Sequence, residues 1–441
     1  MTTRGAAARP DGGRLIREVG TPGAVLMGLG AMIGTGVFVS LGLAAGIAGP
    51  AVLVALALAA GVALCNGLSS AQLAAVHPVS GGTYEYGYRY LNSWAGFTAG
   101  WVFLVAKSAS AATAALGFSG YALHALEQES DYLVPLALGT VAVLTGVVVT
   151  GLRRSNTANA AIVAVTLVAL AFFVVAGIPS VQTSNLSPSF AVAGRAVGIA
   201  ALLEATALMF VAYTGYARIA TLGEEVRDPQ RTIPRAIVLA AVLVMLLYGA
   251  VAAVAIGVAG SDGLLAATED RAAPLAVVAE RFAAPGASAV LTIGALTAML
   301  GVLLNLILGL SRVVLAMARR GDLFRVLSTV DAHGKSPYWA VLAVGVVVAG
   351  TAAIGDVRTT WSFSAFSVLI YYALTNLAAL RMPAAERRYP RSVAVAGLIA
   401  CLGLAFWVDV RVWLAGLALI AFGLGWHAVV RRWHRTTLPQ G

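Results

Sequence analysis

Charge is what this sequence has least of. Only 11% of its 441 residues are Asp, Glu, Lys or Arg, against about 25% in soluble domains. Mean hydropathy is +0.88, and 60% of the residues are hydrophobic. A soluble globular fold is excluded. Cysteine is nearly absent too: Cys65 and Cys401 both fall inside apolar stretches, which excludes a disulfide framework and a thiolate metal site. Five histidines, His77, His124, His333, His427 and His434, fall in loops or at helix ends with no His-Glu-x-x-His pair. No Gly-x-Ser-x-Gly nucleophile elbow occurs either, and acidic residues avoid the centres of the apolar runs. A membrane enzyme is therefore set aside, and neither cofactor nor metal is expected. Residues 1–22 are polar and basic, without the short apolar core and small-residue cleavage site of a signal peptide. They read as a retained cytoplasmic tail.

What is present is a succession of apolar runs, each of about 20 residues, the length that spans a bilayer. Twelve are placed near 23–46, 51–76, 94–123, 132–152, 156–178, 198–222, 235–259, 287–317, 337–355, 359–380, 393–409 and 412–430. The third and eighth are long enough to need tilt or an extension beyond the lipid. Positive charges set the orientation. With the N-terminus inside, the inner loops receive Arg89, Arg153, Arg154, Arg227, Arg231, Arg319, Arg320 and the other basic clusters, while acidic residues dominate outside. The net charge of +10 is thus a topology signal and not a nucleic-acid footprint. Both termini are expected in the cytoplasm of a bacterial cell, with the chain in its plasma membrane.

One stretch organises the rest: Gly28-Leu29-Gly30-Ala31-Met32-Ile33-Gly34-Thr35-Gly36-Val37-Phe38. Each interior glycine costs about 0.8–1 kcal/mol of helix preference relative to alanine. Irregular backbone facing lipid is forbidden, because nothing there satisfies its freed N–H and C=O groups. A break at Gly34-Thr35-Gly36 is tolerable where it lines a cavity or meets a ligand, the arrangement of transporter midplanes. Close helix packing is the competing reading, since Gly30 and Gly34 also form a GxxxG pair. An inverted repeat of helices one to five and six to ten would place a matching break in helix six. That helix reads Leu208-Met209-Phe210-Val211-Ala212-Tyr213-Thr214-Gly215-Tyr216, again weak at mid-membrane. The predicted fold is all-α and polytopic: twelve helices, a five-plus-five core over 23–380 (halves 23–178 and 198–380), and two further helices with a cytoplasmic tail over 381–441.

Four motifs then resemble the amino acid–polyamine–organocation permeases, and in particular bacterial permeases of the cationic-amino-acid-transporter-like branch. Gly30 to Phe38 is similar to that family's first-helix motif. His77-Pro78-Val79-Ser80-Gly81-Gly82-Thr83-Tyr84-Glu85-Tyr86 resembles its loop after helix two. Phe210 to Tyr216, continuing through Glu224-Glu225-Val226-Arg227-Asp228-Pro229 to Ile233-Pro234-Arg235, resembles its sixth helix and following loop. Ser311-Arg312 through Met317-Ala318-Arg319-Arg320-Gly321 resembles the run after helix eight. The resemblance covers nearly all of residues 20–435 and implies alternating access. It implies that a substrate carboxylate meets the amides of Gly34, Thr35 and Gly36. The α-amino group would be held by carbonyls near Ile33 and at Phe210, Val211 and Tyr213, with Thr214, Tyr213, Phe210 and facing residues of helices three, eight and ten around the side chain.

Polar residues inside the membrane sharpen the expectation. Lys107 falls near the middle of helix three, where a charge costs at least about 2.5–3.5 kcal/mol on insertion scales and is a functional hypothesis by default. Burial disfavours its charged form and suits it to exchanging protons; a structural lysine donating to carbonyls is the alternative. Proton-coupled relatives resemble one another in carrying a lysine on helix five, where this chain aligns Thr166. Ala106 stands where cationic-substrate relatives tend to carry an acid. Lys107 and Glu204 are the proton-coupling candidates, and Glu204 is alternatively a glutamate reaching the outer interface. Arg218 and Arg312, with Glu224 and Glu225 as partners, are the expected cytoplasmic gate. Gly81-Gly82 marks a tight turn, and Gly260 to Gly286 reads as a long outer loop able to form a lid. The expected function is secondary active import of a neutral amino acid coupled to protons. Na+ coupling through Thr292 and Thr297, amino acid/polyamine exchange and cationic amino acid transport are the alternatives.

Overall fold

The computed structural model describes residues 19–77, 81–150, 156–186, 191–192, 195–196, 198–220, 226–330 and 337–437. The first apolar run is not one helix. Helix α1 (Thr21–Met32) begins with a proline in its first turn and stops at Ile33, whose backbone is extended (φ −80°, ψ 109°). A π-helical turn, Gly36–Ser40, follows, and α2 (Leu41–Ala48) completes the run. Ser40 Oγ donates to Thr35 O at 3.1 Å, so a side chain supplies part of what the loosened backbone lacks.

Helix α3 (Val52–Val76) runs to a turn in which Gly81 (φ 140°) and Gly82 (φ 54°) take the positive φ values expected of them; Pro78 lies outside the described residues. Short helix α4 (Thr83–Tyr90) leads to α5 (Ser93–Ala125), capped by the Asn92 side chain accepting from Ala95 N at 2.9 Å. At about 1.5 Å per residue, the 33 residues of α5 overrun the hydrocarbon layer, as the run length required. Helices α6 (Leu133–Val149) and α7 (Asn156–Gly177) follow. A two-residue antiparallel pair, Ala191–Val192 with Arg195–Ala196, precedes α8 (Ile199–Tyr213).

The second interruption is milder than the first. A 3-10 turn, Thr214–Tyr216, separates α8 from α9 (Ala217–Ala220). Helix α10 then runs from Pro229 to Arg271, turning at Gly260 (φ 72°, ψ 168°). The expected outer loop is therefore largely helical: one glycine redirects the chain, which resumes helix to Arg271 and again in α11 (Pro274–Ala279). Tyr121 holds this segment to the first run. Its hydroxyl donates to Phe38 O at 2.8 Å and accepts from Leu275 N at 3.3 Å. Tyr121→Phe leaves two buried backbone groups without that partner, so thermal unfolding in detergent should show a loss of about 1–3 kcal/mol.

The remaining helices are α12 (Ala287–Arg320), α13 (Tyr338–Ala352), α14 (Val357–Arg381), α15 (Arg391–Ala405) and α16 (Val410–Thr437). Among the described residues, nine helical stretches are long and apolar enough to cross a membrane, and three apolar helices are shorter, Thr21–Met32, Tyr338–Ala352 and Arg391–Ala405. Large apolar side chains such as Val168, Val175 and Val346 stay exposed on outward faces, as lipid contact requires. Helix α5 packs against both α12 and α14, and α1 packs against the 3-10 turn. The two interrupted segments touch in the middle of the bundle.

Candidate functional site

At the first interruption α1 ends with Ile33 N donating to Leu29 O at 2.8 Å, and regular bonding resumes with Val37 and Phe38 both donating to Gly34 O at 3.2 Å. Between them, the amides of Gly34, Thr35 and Gly36 have no hydrogen-bond acceptor among the described residues. Consecutive unpartnered N–H groups favour an anion. Thr35 adds a second signal: it is buried, and its hydroxyl has no partner among the described residues. A buried unpaired polar atom is costly, and a ligand oxygen or water would relieve it.

Facing this, Thr214 begins the second interruption. Its Oγ1 donates to Val211 O at 2.8 Å and accepts from Lys107 Nζ at 2.9 Å. Lys107 thus crosses from α5 to the end of α8. No carboxylate stands within ion-pair distance of it among the described residues. A cavity of about 50 Å³ lies between the two interruptions and helices α5, α12 and α14. Thr35, Gly36, Val211 and Thr214 line it with Lys107, as do Ala31, Met32, Ser110, Ala212, Val302, Leu306 and Trp361.

Four of the predicted substrate residues stand back from the cavity wall. Gly34 packs on Val302, where an added Cβ would approach Val302 Cγ2 to 2.7 Å; Ile33 is buried. Phe210 meets Tyr372 edge-on at 5.6 Å and Tyr213 tilts on Tyr248 at 5.5 Å. Several carbonyls at the breaks already have side-chain donors: Met32 O from Tyr248 (2.8 Å), Leu208 O from Trp361 (3.0 Å) and Thr214 O from Tyr372 (3.2 Å). Glu204 does not meet Lys107. Its carboxylate is 4.0 Å from Arg358, which also lies 3.9 Å from Glu269. Arg358 stands at the start of α14, and Lys107 is engaged with Thr214 instead. Thr166 bonds its own helix, donating to Ile162 O at 2.8 Å. Arg218 and Arg312 are exposed, and Glu224 and Glu225 lie outside the described residues.

The amino acid permease model matches residues 23–435, which takes in both interruptions and every wall of the cavity. The chain belongs to the amino acid permease family. It is 43% identical over 422 residues to an uncharacterized transporter of Mycobacterium tuberculosis, covering 96% of this chain and 92% of that one. A branched-chain amino acid permease of Bacillus subtilis is 27% identical over 95% of this chain and 90% of its own. A human cationic amino acid transporter is 29% identical over 83% of this chain and 60% of its own. The permease is an integral membrane transporter and not an enzyme.

The sequence pointed to helices eight and ten as facing the permease's two breaks but did not single out Val302, Leu306 and Trp361 on them. Apolar and aromatic residues have no contrast in a chain that is 60% hydrophobic. Ser110 carried a faint signal as a hydroxyl one turn from Lys107; in the structure its Oγ lies 2.7 Å from Ser364 Oγ.

Proposed function

We propose that the permease imports a neutral amino acid together with protons across a bacterial plasma membrane. The proposed frame is twelve helices: a five-plus-five inverted-repeat core over 23–380 and two further helices, both termini cytoplasmic, moving by alternating access. The observation that carries this reading is Lys107 Nζ at 2.9 Å from Thr214 Oγ1, inside a cavity whose opposite wall presents unpartnered amides.

The chemistry follows from charge. An ammonium buried without a carboxylate partner is expensive. A substrate carboxylate on the amides of Gly34, Thr35 and Gly36 supplies the missing negative charge a short distance away. Protonation of Lys107 therefore favours the carboxylate, and the carboxylate favours protonation, by the same factor. A cavity that loads the two together and opens to either side couples their movements. Of the carbonyls near Ile33, Phe210, Val211 and Tyr213 assigned to the α-ammonium group, that of Val211 belongs to a residue of the cavity wall and keeps a second lone pair beside its bond from Thr214; the other three need a movement of the breaks to reach it. Lys107, standing beside Ala106 in place of an acid, disfavours a cationic side chain. Arg218 and Arg312 are assigned to the cytoplasmic gate with Glu224 and Glu225, and Glu204 with Arg358 to the outer side.

The test is uptake of radiolabelled amino acids and polyamines into proteoliposomes with and without an inward proton gradient. Uphill uptake of a neutral amino acid, collapsed by a protonophore and lost in Lys107→Met, is the expected result. Uptake that follows a sodium gradient, or that needs internal substrate and ignores protons, would replace proton coupling by the sodium or exchange mode.

A further inference from the structure

We propose that the Lys107 side chain is the size filter of the substrate cavity and restricts the permease to amino acids with small side chains, the class of glycine, alanine and serine. The inference rests on the reading that this cavity is the amino acid site.

The walls divide into fixed and adjustable. Trp361 is fixed, because its indole N–H donates to Leu208 O at 3.0 Å and locks α14 to α8. Ser110 is held by Ser364. Val302 is pressed against Gly34, where even one added carbon would come within 2.7 Å. The two interruptions fix each other, since Gly36 packs directly on the Cβ and backbone of Ala212. Besides the short hydroxyls of Thr35 and Thr214, the polar wall is Lys107, whose four-carbon stem crosses the space between α5 and α8 to reach Thr214 Oγ1. With that stem in place the cavity is about 50 Å³.

The stem has reason to stay. Displacing the ammonium costs its hydrogen bond to Thr214, and a buried charge that gives up a hydrogen bond is disfavoured. A large substrate side chain must therefore break the Lys107–Thr214 bond. A small one leaves it where it is. Discrimination in such a pocket amounts to roughly 10–200-fold per methylene group.

The experiment is uptake by the full-length permease in proteoliposomes, comparing glycine, alanine, serine, leucine, phenylalanine and aspartate at equal concentration. Wild type should favour alanine over leucine by at least about 10-fold. In counterflow with internal alanine, Lys107→Ala should bring that ratio toward one, and Lys107→Met, whose stem remains but is no longer anchored to Thr214, should fall between Lys107→Ala and wild type. Leucine or aspartate taken up by wild type as fast as alanine overturns the filter without any variant. So does a Lys107→Ala protein that transports with its ratio unchanged. Should Lys107→Ala fail to insert, Lys107→Ser gives the same comparison. Failure of the underlying reading looks different: wild type then takes up none of the six amino acids, and the filter falls with it.

Discussion

Gly215→Ala is expected to abolish uptake, a loss of at least about 100-fold in proteoliposomes, and Gly36→Ala to come close. At Gly215 an added Cβ would collide with the backbone carbonyl of Ala31 and the amide of Met32. Neither neighbour is a flexible side chain that could step aside. At Gly36 the Cβ would strike Ala212, whose Cα would be 2.8 Å away. These are reciprocal contacts: the first interruption rests on the second through Gly36, and the second rests on the first through Gly215. Separating them by the width of a methyl group widens the seam in which Lys107 reaches Thr214 at 2.9 Å. Overpacking of a tight interface costs about 1–3 kcal/mol in stability, so inserted protein should remain, and the larger effect is on transport. Gly249→Ala is the control, since nothing lies within 4 Å of a Cβ there; its uptake should match wild type. Gly215→Ala protein that inserts normally and transports at more than a tenth of the wild-type rate would mean the two breaks need not touch.

The same pair of glycines shows how much of the site was legible in the sequence. Four glycines between 28 and 36 allowed either a break or close packing, and both occur: Gly28 and Gly30 pack inside α1, while the chain leaves the helix at Ile33, ahead of Gly34 and Gly36. The second was placed by the symmetry of a repeat and found, although its 3-10 turn at Thr214–Tyr216 is gentler than the extended residue at Ile33. Lys107 was readable because a charge stands out in an apolar run. Its partner was not, because the pairing of α5 with α8 is a tertiary fact with no local trace. Glu204 illustrates this from the other side: its partner, Arg358, lies 154 positions away in sequence. The outer segment failed for a local reason. Gly260 and the acidic residues after it resemble a loop, and only the structure reveals that one glycine turns the chain and lets the helix resume.

Asp322→Ala should destabilise the permease by about 2–6 kcal/mol, the sum for leaving two buried hydroxyl donors without their acceptor at about 1–3 kcal/mol each, read as a lowered midpoint of thermal unfolding in detergent. Asp322 follows Gly321, whose left-handed backbone (φ 87°) ends α12. Its carboxylate is buried, and one oxygen accepts from both Tyr84 and Tyr88 at 2.7 Å. Burial, and then the Asp322 carboxylate itself, hold both phenols well above their usual range, so they remain donors at every physiological pH. The other oxygen lies 3.4 Å from His427 Nδ1 on α16, and Trp426 donates to the Asp322 carbonyl at 2.9 Å. Arg320 covers the Tyr88 ring at 4.1 Å and pairs with Glu85. One carboxylate thus joins two of the motifs read from the sequence, the loop after α3 and the run at the end of α12, to the last helix. Because an unsatisfied buried group costs more than a made bond contributes, the double variant Tyr84→Phe/Tyr88→Phe should be destabilised as much as Asp322→Ala or more. It strands a buried charge, whereas Asp322→Ala strands two neutral hydroxyls. Combining all three substitutions should then restore part of the loss, since no stranded partner remains. Strict additivity of the three would mean that the carboxylate and the phenols act independently and that the cluster does not hold these elements together.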